Sequence, residues 1–168
     1  MPALFALATS VGVLAIVATW VFGELLASLN GQVWIAFVAW GAHFHCGGKI
    51  TGTRDAIVCM SFGAVIGMLA IYLAGNLGAL GQFAAPVAVG IGATAIVLSS
   101  SLKLLSAIPA SVYGFAAIAG LWLLGGTDLF GANAMVGNAL LPTIISIVVG
   151  ALFGIVSEHL AGVLTKKA

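Results

Sequence analysis

An all-helical membrane fold with six crossings is predicted by three features of this sequence: the scarcity of charge, the spacing of its apolar runs, and the gathering of its cations between alternate runs. Only 5% of the 168 residues are charged against 62% hydrophobic, and the mean hydropathy is +1.27, where a soluble domain carries about 25% charge. Too little polar surface remains to cover a water-soluble globule, so the outer face must lie in lipid. A spanning helix takes roughly 20 apolar residues, and six such runs fit into a single domain over residues 1–168. The net charge of +1 excludes nucleic acid as a partner, because that needs clustered Lys and Arg. The lipid bilayer is the partner the composition demands.

The first run covers Ala3 to Ser28 and carries Glu24 near its end. It has no basic stretch before it and is too long for a signal-peptide core, so it reads as a retained helix. Asn30-Gly31 marks a turn. The second run, Gln32 to Gly48, is short for a span, has glycine at both ends and reads as a short or broken helix. The third follows Thr51-Gly52-Thr53, with Thr53 as N-cap and Asp55 in the first turn, and continues to Gly75. A glycine-rich loop, Asn76 to Gln82, leads to the fourth run, Phe83 to Leu105, in which Pro86 is tolerable near the start. The fifth, Ser106 to Leu124, is again short and holds Pro109 in its first turn. A loop with Asp128 precedes the sixth, Ala134 to Leu160, where Pro142 predicts a kink near Leu141. Cys46 and Cys59 have no CxxC spacing and read as reduced, buried thiols.

Six crossings place Lys49, Arg54, Lys103, Lys166 and Lys167 on one side, which the positive-inside rule makes cytoplasmic together with both termini. An odd number of crossings would scatter these cations. The second and fifth runs are each the middle member of a three-helix set, and Gly63 and Gly67 in the third run have counterparts in Ser146, Gly150 and Gly154 of the sixth. The pattern raises two inverted repeats, residues 1–78 and 79–168, of the kind whose paired short helices flank a transport site.

The Trp34-Ile35-Ala36-Phe37-Val38-Ala39-Trp40 helix ending in Gly47-Gly48, the Ser111 to Gly120 stretch SVYGFAAIAG, and a last helix closing on Ser157-Glu158-His159 together resemble the bacterial inner-membrane family of unknown function of the YcdZ type. The likeness covers most of the chain. It implies a small multi-helix membrane protein and supplies no catalytic residues.

Chemistry concentrates in the second run, where His43, His45 and Cys46 precede the Gly-Gly break. On a helix His43 and Cys46 share a face and His45 points away, so a metal site would need further ligands such as Cys59, Glu158 or His159, and none stands at motif spacing; His43 and Cys46 are the leading metal candidates, and no metal is expected. The functional reading is that His43 or His45 lines a solute path near its cytoplasmic mouth; the alternative is an interfacial pair bonded to carbonyls and headgroups. Trp40, with Phe44 along its helix and Tyr113 and Phe115 from the other half, could form an aromatic constriction, against ordinary core packing. Glu24 reads as a snorkelling carboxylate at the far end. Glu158 and His159 end the last helix level with Lys49. There Glu158 closes a small-residue seam by pairing with Lys49, Arg54 or Lys103, or else forms a gate.

No hydrolase triad, HExxH, P-loop or dinucleotide fingerprint is present, so neither an enzyme nor a cofactor is expected. The leading expectation is a channel or carrier for a small, uncharged polar solute, working as a homo-oligomer. The others are a non-transporting scaffold or accessory subunit, and a metal or redox protein built on the His-x-His-Cys cluster.

Overall fold

The structure, a computed structural model, describes residues 1–125 and 139–166, and all regular structure among them is helical. The expected Asp128 loop, the start of the last run at Ala134 and the tail from Lys167 lie outside the described residues. Helix α1, Ala3–Trp20, runs into a π-helical turn, Val21–Leu25, and a 3-10 turn, Ala27–Leu29, which stops where Asn30 takes the left-handed conformation at φ 54°. Helices α2, Val33–His45, and α3, Lys49–Asn76, follow. A 3-10 stretch, Gly78–Phe83, leads into α4, Ala84–Ser99; a short turn, Lys103–Leu105, separates α4 from α5, Ile108–Gly125; and α6 is Leu140–Lys166.

Among the described residues four helical stretches are long and apolar enough to cross a membrane: Ala3–Leu25, Lys49–Asn76, Gly78–Ser99 and Leu140–Thr165. The chain is built as a multi-pass membrane protein. Helix α5 is apolar but shorter. The 13 residues of α2 make a continuous rod of about 20 Å, well under the ~30 Å hydrocarbon core.

Two starts differ from the sequence expectation. Helix α3 begins at Lys49, so Thr53 is inside it and Asp55 is past its first turn, paired with Arg54 at 2.7 Å. The reason lies in α6, whose Glu158 caps the earlier start from outside. Helix α6 begins at Leu140, which puts Pro142 in its first turn. A proline there lacks only an N–H that has no intrahelical partner anyway, and no kink near Leu141 is needed.

Packing follows a regular scheme: α2 lies on α6 and α5 on α3, α1 flanks α6 and α4 flanks α3, and α3 meets α6. Small residues permit the close approach that drives helix association in lipid. No Cβ fits at Gly150 against the Ala36 backbone, at Gly63 against Ser111, or at Gly114 against Met60. One turn further along, Gly154 backs onto His43 and Gly67 onto Ile118. Ile35, Met60, Ile118 and Ile147 fill the core between these four helices.

Candidate functional site

The site forms where α2 stops. Gly48 N–H bonds the His43 carbonyl and Gly47 N–H that of Phe44, a Schellman closure that needs a left-handed residue, here Gly47 at φ 94°. Gly48 then adopts φ 69°, ψ −164°, a conformation essentially open to glycine alone, and a Cβ there would meet both Glu158 carboxylate oxygens. Gly52, with no room for a Cβ against the His43 carbonyl, lets the start of α3 fold back on the end of α2.

His43 is wholly buried in this corner, with Nδ1 3.0 Å from Thr53 Oγ1 and Nε2 3.2 Å from Glu158 Oε2. The Lys49 N–H donates to the same Glu158 oxygen at 2.6 Å, a short charge-assisted bond at the positive end of a 28-residue helix. It also holds Lys49 at its uncommon φ of 57°. Glu158 therefore pairs with the Lys49 backbone and with an imidazole. Among the described residues it makes no ion pair with the side chains of Lys49, Arg54 or Lys103.

The hydrogen bonds of this corner are compatible with two arrangements of protons on the same heavy atoms. Thr53 Oγ1 is 3.0 Å from His43 Nδ1 and 3.0 Å from the Lys49 carbonyl, and its single hydroxyl proton serves either. Donated to Nδ1, it leaves a neutral imidazole whose Nε2–H faces the carboxylate. Turned to the Lys49 carbonyl, it exposes an oxygen lone pair to an Nδ1–H, and the ring becomes an imidazolium paired with Glu158.

The remaining candidates scatter. His45 is exposed and its Nδ1 meets the Tyr113 hydroxyl at 2.9 Å, linking α2 to α5. Trp40 is a core side chain: it stacks on Phe37 and Phe153, and its indole N–H donates to Ser157 Oγ at 2.9 Å. Phe44 is exposed beside the edge of His43, and Phe115 lines a groove between α4 and α5. The aromatic groups thus divide among four places rather than forming one constriction. Glu24 is exposed on the π-helical turn beside Trp20, and His159 is exposed. Cys46 makes no metal cluster with His43: no group of three His, Cys, Asp or Glu residues is gathered among the described residues.

Ser146 was legible as part of the α6 seam, whereas the partnerships of Ser10, Ser157 and Thr53 were not. Ser146 Oγ accepts the Gln32 N–H at the start of α2, and Ser157 joins Trp40 to the Ser10 hydroxyl of α1. Ser146, Gly150, Gly154 and Glu158, four apart along α6, are the row on which α2 lies from end to end. Their shared face was the available signal.

A multi-pass helical membrane protein with a buried histidine paired to a part-exposed carboxylate is the class these features define. A model of proteins of unknown function, DUF1097, matches residues 8–162, and the chain belongs to that family. No curated protein and no solved structure matches it.

Proposed function

We propose that this protein is a six-span carrier of a small, uncharged polar solute in the bacterial inner membrane, with both termini cytoplasmic, assembled as a homo-oligomer, and with His43 and Glu158 as a proton-bearing site. One observation supports the reading: the α2–α6 and α5–α3 contacts use the same residue spacing, and of the two only the first brings a histidine and a carboxylate together. Ala36 and His43 meet Gly150 and Gly154; Ser111 and Ile118 meet Gly63 and Gly67 at the same separations along the chain. That correspondence supports two three-helix repeats over residues 1–78 and 79–168, inverted because each has an odd number of crossings. A buried ionisable group inside a membrane domain is costly and is a functional site by default. Glycine packing to backbone contact and the full burial of His43 favour a carrier in a closed state over an open channel.

The test is solute uptake into proteoliposomes with an imposed pH difference, using small amides and weak bases and a lumenal pH dye. Uptake that follows the proton gradient and is lost in His43→Gln and Glu158→Gln supports the carrier. Uptake unchanged in both variants removes the site. Absence of uptake for the whole panel favours an accessory subunit, the reading to which the same tight glycine seams lend support.

A further inference from the structure

The two halves differ in what flanks their middle helix. Beside Trp40, Phe37 and Phe153 close the space with stacked rings. Beside Phe115, smaller side chains leave an apolar groove between α4 and α5. It consists of two adjoining clefts of about 180 and 210 Å³ that share Val89 and Phe115. The groove runs from Ala85 and Leu123 at one end to Val97 and Val112 at the other. Its 12 residue steps along α4 span about 18 Å, slightly more than one leaflet's share of a ~30 Å hydrocarbon core. Just past the Val97 end the chain turns through Ser100 and Ser101 to Lys103, which is exposed and has no acidic partner among the described residues. The Ser100 and Ser101 hydroxyls donate to the Val97 and Leu98 carbonyls, and Lys103 is the basic residue of this turn.

We propose that this groove holds one acyl chain of an anionic phospholipid whose phosphate rests on Lys103. Groove length, a wholly apolar lining and a lone cation at one end match a single-tailed insertion from the cation-bearing leaflet, where anionic headgroups gather against basic residues. The site is independent of His43 and of any transported solute.

Trp122 lines the inner end of the groove and reports its occupant. The full chain is reconstituted in phosphatidylcholine vesicles containing increasing phosphatidylglycerol, brominated near the methyl end of the chain, and Trp122 emission is taken as the difference from Trp122→Phe. Half-quenching is expected at about fivefold lower mole fraction than with brominated phosphatidylcholine. Lys103→Gln abolishes that preference and Lys103→Arg keeps it. Ala93→Phe, an exposed position that fills the groove, weakens quenching by both lipids. Equal quenching by the two lipids, a preference that survives Lys103→Gln, or full quenching in Ala93→Phe each overturns the proposal. So does a brominated free fatty acid that quenches as well as phosphatidylglycerol, because the occupant would then not be a phospholipid.

Discussion

Where α2 meets α6, Gly150 backs onto Ala36 and Gly154 onto His43; where α5 meets α3, Gly63 backs onto Ser111 and Gly67 onto Ile118. Both junctions bring backbones together through glycines four apart and are closed by a large side chain seven residues along the partner helix. At one junction that side chain is an imidazole with Thr53 and Glu158 around it. At the other it is a buried isoleucine. The comparison separates two tasks. Glycine spacing suffices for helix association, since the apolar junction achieves it without a charge. The histidine–carboxylate pair at the first junction is an addition that packing does not require, because such pairs seldom add net stability over well-packed apolar groups.

The largest effects should come from what the junctions share. Gly150→Val and Gly63→Val each force a side chain into a neighbouring backbone and should each cost about 3 kcal/mol or more, measured as thermal unfolding in detergent. A tolerated valine at one site alone would break the equivalence. Next comes Glu158→Ala, which strands the His43 ring and the Lys49 N–H and should cost about 2–3 kcal/mol. By contrast, His43→Ile combined with Glu158→Leu, which makes the first junction resemble the second, should stay within about 1 kcal/mol of the parent protein while proton-linked uptake disappears. A large loss in the double variant would mean that the corner serves the fold. Trp40→Phe removes one buried N–H donor and should cost about 1 kcal/mol, since the Ser157 hydroxyl keeps its bond to the Gly154 carbonyl. Smallest is Tyr113→Phe, which frees His45 at an exposed position and should change stability by less than about 0.5 kcal/mol.

The membrane class and the helix order were legible because hydropathy and turn residues report them directly. Asn30-Gly31, Gly47-Gly48, Pro86 and Pro109 all fall at helix ends. The His43 segment was legible as the place to look, being polar in an apolar chain. Its partners were not. Thr53 reads as an N-cap until it is known that a carboxylate 109 residues after Lys49 caps α3 instead. Trp40 had visible aromatic neighbours along α2, but Phe153 and Ser157 reach it from α6, and cross-helix partners leave no mark in local spacing. Helix α2 was recognised as short; that it stays continuous depends on the row of α6 residues along which it lies.

That dependence has a consequence for how the chain matures. Ser146 receives the Gln32 amide just ahead of α2 and Glu158 the first amide of α3, and both belong to a helix that leaves the ribosome well after α2 does. A rod of about 20 Å is too brief to be held in a bilayer by hydrophobicity alone. During synthesis α2 must therefore wait, loosely placed, for more than a hundred further residues. Its final seating is a late event of biogenesis, and chains truncated before α6 should leave this segment open to protease.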